Sequence, residues 1–174
     1  MRIDVRELDQ GSLKLRGELT GGQLEFDEAD GHLLQPVSVE LVAEKHGHQV
    51  RLRGKLSALL ELFCAKCLDP LRMEVSPDFD QFYEPNRGLK LTGEIALEER
   101  DTEIAFFNGD VIEVVDLVRE QILLALPMKP VCREDCKGLC PNCGGNRNLR
   151  DCGCQTLNLD PRLAPWLKIK ERLS

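Results

Sequence analysis

The chain has 174 residues, 42% hydrophobic and 30% charged, with 30 acidic against 23 basic side chains and a net charge of -7. That length and apolar fraction fit one compact domain, or a domain with a small appendage, burying roughly 70% of its unfolded surface, and they exclude a disordered chain. The acidic balance excludes a protein that coats nucleic acid through bulk positive charge but leaves room for a local basic patch. No run reaches the roughly 18 apolar residues of a membrane span, and the opening MRIDVRELDQGSLKLRGEL lacks a signal-peptide core. A cytoplasmic protein with no membrane partner is expected.

Alternation from Val37 to Glu44 places Val37, Val39, Leu41 and Ala43 on one face of a strand, and Val50, Leu52 and Leu56 do the same in the next. Lys45-His-Gly-His48 between them predicts a hairpin. Leu59 to Cys64, Leu71 to Val75 and Phe79 to Tyr83 continue an antiparallel meander, with Cys64 and Cys67 in a connection between strands. Residues 85–103, rich in Gly, Glu and Asp without a period, predict an acidic loop. Ile104 to Phe107, Asn-Gly-Asp and Val111 to Glu113 form a final hairpin, or a strand before a helix.

That helix runs from Val114 to Leu126. Val114, Leu117, Val118, Ile122 and Ala125 follow the 3.6-residue period, Pro127 ends it, and its stripe covers one face of the sheet. Asp160-Pro-Arg-Leu163 opens a short terminal helix with Asp160 as N-cap and Leu163, Trp166, Leu167 and Ile169 for packing. The expected class is α+β: a mostly antiparallel β-sheet, one amphipathic packing helix and a C-terminal cysteine-rich, zinc-stapled segment.

Composition divides the chain near Met128. Residues 1–128 hold 14 basic and 25 acidic side chains and two of the eight cysteines, whereas residues 129–174 hold 9 basic, 5 acidic and the other six. The first part reads as an acidic β-rich domain ending in the amphipathic helix. The second reads as a basic zinc-binding segment packed on it, with too few apolar residues to fold by burial alone.

The cysteines fall into four close pairs: Cys64 and Cys67, Cys132 and Cys136, Cys140 and Cys143, Cys152 and Cys154. In a reducing compartment such pairs read as metal ligands, and zinc favours four thiolates in closed structural sites. Cys140-Pro-Asn-Cys143-Gly-Gly has the shape of a zinc knuckle. Joining Cys140 and Cys143 to Cys152 and Cys154 closes only a short loop and leaves Cys64 and Cys67 to join Cys132 and Cys136. Other pairings and a single zinc ion stay open. An iron-sulfur cluster on Cys132, Cys136, Cys140 and Cys143 is the competing cofactor, and a thiol switch a further alternative. The radical-SAM spacing of Cys136, Cys140 and Cys143 is set aside because that chemistry needs a far larger barrel. No triad, P-loop or dinucleotide fingerprint is present, the histidines His32, His46 and His48 lie away from the cysteines, and closed four-thiolate sites leave no open position, so no enzyme is expected.

Lys129, Arg133, Lys137, Arg147 and Arg150 surround the proposed metal sites and are the candidate RNA phosphate contacts. Each four-thiolate zinc site carries a formal charge of about -2, so two filled sites turn the +4 of this segment into a patchy field. Trp166 is the segment's single aromatic residue, which disfavours base stacking. The acidic first half suggests a second partner, a basic protein such as a ribosomal protein.

Phe63-Cys-Ala-Lys-Cys-Leu68, Val115-Asp-Leu-Val-Arg-Glu-Gln-Ile-Leu-Leu-Ala-Leu-Pro127, Cys132-Arg-Glu-Asp-Cys-Lys-Gly-Leu-Cys-Pro-Asn-Cys-Gly144 and Asp160-Pro-Arg-Leu163 resemble the bacterial YceD family, also called large ribosomal RNA subunit accumulation proteins. The resemblance implies a role in accumulation or processing of large-subunit ribosomal RNA, with ribosomal RNA or a pre-ribosomal particle as partner, and it supplies no enzymatic activity. It carries the family's cysteines onto Cys64, Cys67, Cys132, Cys136, Cys140 and Cys143, with Cys152 and Cys154 in a more variable part of the pattern.

Overall fold

The computed structural model of the chain describes residues 1–26, 31–86 and 104–154. Residues 87–103 of the expected acidic loop, and the whole terminal helix expected from Asp160, lie outside the described residues. In chain order the strands are β1 (Arg2–Asp4), β2 (Leu13–Leu19), β3 (His32–Leu33), β4 (Val37–His46), β5 (Gln49–Phe63), β6 (Pro70–Val75), β7 (Asp78–Pro85), β8 (Ile104–Phe107) and β9 (Val111–Glu113). A 3-10 turn covers Val5–Gln10, a short helix α1 spans Gly21–Leu24, and α2 spans Val114–Ala125.

Strand β5 organises the sheet. Its alternation runs the whole length, burying Val50, Leu52, Leu56, Ala58, Leu60 and Leu62. A strand this long exceeds the reach of any one partner, so each edge takes two. Its first half pairs with β4 (His46↔Gln49 to Ser38↔Ser57) and with β7 (Val50↔Tyr83 to Lys55↔Asp78), and its second half with β3 and β6 (Ala58↔Val75 to Phe63↔Pro70). The β4–β5 hairpin closes through Gly47 and His48, where the sequence places it.

The expected meander is corrected. β6 and β7 lie end to end along one edge of β5 in unbroken antiparallel register, separated only at Ser76 and Pro77. Proline has no N–H to give the ladder, and its carbonyl instead accepts from Leu56 N–H at 3.2 Å. Of the two readings of Ile104 to Glu113, the hairpin is overturned and the strand before the helix holds: β8 adds to β7 in parallel, and β9, which leads directly into α2, pairs with β1 in a separate two-stranded sheet. Apart from β7–β8, every strand pair among the described residues is antiparallel.

The helix forms as its period predicts. Val114, Leu117, Val118 and Ile122 are buried, in one continuous core with Val39, Leu41, Leu60 and Phe79 of the sheet and Ile3 and Ile112 of β1 and β9. Asp116 sits in the first turn, where the macrodipole favours a carboxylate, and the Val114 N–H donates to Met1 C=O at 3.1 Å. Burial, then the nearby Glu120 and Asp116 carboxylates of α2, push the Tyr83 hydroxyl up to about 12.

The outward face of the sheet is a lattice of paired charges. Arg16, Glu40, Lys55 and Asp78 stand in one row across four strands, with Arg16 3.1 Å and Lys55 3.8 Å from Glu40. Arg53 meets Glu44 at 3.3 Å, and Arg51 bonds Asp80 at 2.8 Å while lying over the Phe82 ring. On the opposite, core-facing side, in phase with Val50, Leu52 and Leu56, Gly54 of β5 pairs with Leu41 of β4, where a Cβ would collide with the Glu40 carbonyl oxygen and sit 2.8 Å from Leu41 Cα. Gly54→Ala is therefore expected to lower stability by about 1–3 kcal/mol, read by urea unfolding, and an unchanged midpoint would contradict this packing.

Candidate metal centres

The β5–β6 hairpin ends in a knuckle. Beyond the last pair, Phe63↔Pro70, the chain turns through Cys64-Ala-Lys-Cys67: Cys64 N–H donates to Asp69 C=O at 2.9 Å and Leu68 N–H to Cys64 C=O at 2.9 Å. Leu68 takes a left-handed φ of 62°, closing the turn and pointing both sulfurs the same way. The segment after α2 returns to this turn, with Ala65 N–H donating to Pro130 C=O at 2.7 Å and Cys132 N–H to Cys64 Sγ at 3.4 Å.

These contacts gather cluster 1: Cys64, Cys67, Cys132 and Cys136, with sulfurs all within 4.8 Å of one another. Cys64 Sγ is 3.9 Å from Cys136 Sγ, and Cys67 Sγ is 3.7 Å from Cys132 Sγ. A tetrahedral ion with metal–sulfur bonds of about 2.3 Å requires sulfurs about 3.8 Å apart, which these spacings match. Cys140, Cys143, Cys152 and Cys154 form cluster 2 within the same 4.8 Å limit. Both donor sets fit a metal ion. The thiols group as the short-loop argument divides them, and the iron-sulfur set Cys132, Cys136, Cys140 and Cys143 is split between the two clusters.

The turns prepare charged sulfurs. Burial raises the Cys64 thiol, but the backbone N–H groups of Cys132, Cys67 and Lys66 outweigh it and bring it to about 6. In cluster 2, the backbone N–H groups of Cys143 and Asn142 draw Cys140 to about 6. Cys136 is lowered by the Asn148 amide, against burial. Burial and Cys136 raise Cys132. Neighbouring sulfurs hold Cys154 at about 12, led by Cys152. For Cys67, Asp69 N–H lowers the thiol, but burial and the other three sulfurs outweigh it and leave it at about 12. Each cluster thus combines thiols lowered by N–H donors with thiols raised by burial and neighbouring sulfurs.

Cluster 2 is built on cluster 1. Leu139 N–H donates to Lys66 C=O at 3.0 Å, and Gly138, with φ 70°, lies so close that a Cβ would sit 2.9 Å from that oxygen. Asn146 donates to Asp69 at 2.7 Å, and Asn148 to Cys136 Sγ at 3.3 Å. Sequence reasoning did not single out these asparagines. Their signal was the Asn-x-Asn spacing between cysteine pairs, since short amides bond nearby backbone in turns.

All five candidate basic residues are exposed. Lys137, Arg147 and Arg150 line one notch of about 200 Å³ with Asn148, Leu149 and Asp151. Lys129 and Arg133 do not line it; they stand on the connection into cluster 1, where Arg133 pairs with Asp135 at 3.4 Å. The larger groove, about 850 Å³, lies across the charge-paired strands, remote from the cysteines. Its lining alternates in charge, with Lys14, Arg16, Arg53 and Lys55 beside Glu40, Asp78 and Asp80.

A β-rich domain whose hairpin end and following segment share one four-cysteine cluster, with a second such cluster formed within that segment, is the class this geometry defines. The family model described as large ribosomal RNA subunit accumulation protein YceD matches residues 52–170, and the chain belongs to that family. An uncharacterized protein of Mycobacterium tuberculosis is 29% identical over 138 residues, covering 79% of this chain and 62% of its own length. Two chloroplastic proteins named large ribosomal RNA subunit accumulation protein YCED homolog 1 are each 25% identical. The match to the Zea mays protein covers 81% of this chain and 55% of the relative, and that to the Arabidopsis thaliana protein 99% and 60%. The chain thus spans about three-fifths of the length of the curated relatives it matches. No solved structure matches the chain significantly. No helix among the described residues is long and apolar enough to cross a membrane.

Metal uptake near neutral pH is expected to release protons, fewer than one per thiol because Cys64, Cys136 and Cys140 are already lowered. Affinity falls as pH falls, because protons compete for the same sulfurs, and rises with pH. Calorimetric titration in buffers of different ionisation enthalpy checks this, and affinity independent of pH would contradict it.

Proposed function

We propose that this protein is a noncatalytic zinc-binding factor that supports accumulation or processing of large-subunit ribosomal RNA in the cytoplasm. The observation that carries the reading is the notch of Lys137, Arg147 and Arg150 beside two four-thiolate clusters. Zinc is the metal best suited to closed, four-coordinate thiolate sets, and both clusters offer one sulfur per tetrahedral corner with no open position for substrate. The plant relatives' names and the family description supply the large ribosomal RNA.

In this reading zinc has a folding role. It offsets half the charge of each set of four thiolates and holds the segment from Lys129 to Cys154 against the hairpin, and the three cations of the notch meet RNA phosphates. Asp151 on the rim limits the site to a few phosphates. Lys129 and Arg133 extend the contact along the connection. The self-paired charges of the sheet face support RNA over a basic protein as the partner.

Changing Lys137, Arg147 and Arg150 together to Ala is expected to weaken binding to large-subunit ribosomal RNA fragments and to reduce the slope of log affinity against log salt by about three. Zinc content should stay unchanged. Equal affinity and slope for the variant would sink the RNA contact, and capture of a basic protein by a chain that leaves purified RNA unbound would favour the adaptor.

A further inference from the structure

The two clusters share a connector. Three residues, Lys137-Gly138-Leu139, separate Cys136 of cluster 1 from Cys140 of cluster 2. The loop between Cys143 and Cys152 then turns back towards cluster 1. Within it, the Asn148 side chain uses both ends of its amide on the Cys136 turn: Nδ2 donates to Cys136 Sγ at 3.3 Å, and Oδ1 accepts from Lys137 N–H at 2.8 Å. Asn146 holds Asn148 in place, accepting its backbone N–H at 2.9 Å while donating to Asp69 in the hairpin knuckle at 2.7 Å. A residue enclosed by the ligands of one cluster therefore orients a ligand of the other.

We infer that Asn148 is a positioning residue for cluster 1 and couples the two metal centres, so that metal in cluster 2 is needed for full retention of metal in cluster 1. The inference rests on the reading that both clusters hold metal. An N–H donated to a metal-bound thiolate fixes its direction and offsets part of its charge, and only a loop held in place keeps that donor in position. Cluster 2 supplies that hold, because its cysteines lie at both ends of the loop carrying Asn148. Its four ligands come from one short stretch and close at small entropic cost, whereas cluster 1 joins segments 65 residues apart. Assembly therefore runs from cluster 2 to cluster 1.

The test uses the full zinc-loaded chain and a chromophoric chelator, with the two release phases assigned from a variant carrying both Cys140→Ser and Cys143→Ser. Asn148→Ala should speed release from cluster 1 by about ten-fold, the lower range for an outer-shell partner, and leave cluster 2 unchanged. Asn148→Asp, similar in shape but unable to donate when ionised, should do at least as much. The chain lacking cluster 2 should lose its remaining zinc as fast as Asn148→Ala does, and adding Asn148→Ala to it should have no further effect. Should Asn148→Ala fail to fold by circular dichroism, Asn146→Ala, which frees the loop from Asp69 without touching Cys136, should give a smaller acceleration of the same phase. Unchanged release from cluster 1, or effects that multiply, would overturn the coupling. A chain that folds but takes up no metal overturns the proposed zinc function instead.

Discussion

Four sulfurs gathered within 4.8 Å of one another, two of the pairs at 3.7 and 3.9 Å and three of the four buried, are the constraint on which the placement of the tail depends. Thiolates that close repel one another, and a divalent cation at their centre reverses the sign of the interaction. The need for that cation follows from what the tail lacks. Past α2, the buried nonpolar side chains among the described residues are Cys136 and Cys140, so the segment has no apolar core of its own. Its position comes from sulfur ligands and from the backbone bonds around Pro130, Lys66 and Gly138. A conventional core of Leu, Ile, Val and Phe holds the sheet and helix, whereas the described part of the tail gathers around two four-cysteine clusters that fit a metal ion.

The division places both cysteine clusters at the hairpin end. β5 runs from the core out to the first knuckle, so a rigid strand presents Cys64 and Cys67 to the returning tail, and cluster 2 docks on the turn they form. The basic notch lies on that second layer. Charges on the sheet pair with one another in rows across the strands, whereas in the tail notch three cations face a single carboxylate, Asp151.

Local features were legible in the sequence. Alternation located β4 and the start of β5, the 3.6-residue period located α2, and pair spacing divided the cysteines as the structure groups them. Non-local choices were not. Nothing in Leu71 to Val75 and Phe79 to Tyr83 says that they share one edge of β5, because two strands in line and two strands side by side have the same alternation; only the partner's length decides. The pairing of β1 with β9 joins residues at opposite ends of the domain, beyond any local period. Among the basic residues, Lys137, Arg147 and Arg150 meet because Asn146 and Asn148 fold their loop back, whereas Lys129 and Arg133 stay on the connection outside the notch.

The most direct test of the account is elemental analysis of metal and acid-labile sulfide per chain, on protein purified without added metal, for the parent and for Cys67→Ser and Cys154→Ser. Two metal centres, each needing its own four sulfurs, predict two zinc ions in the parent, about one in each variant and no labile sulfide. A single ion per chain, or iron with sulfide, would contradict it.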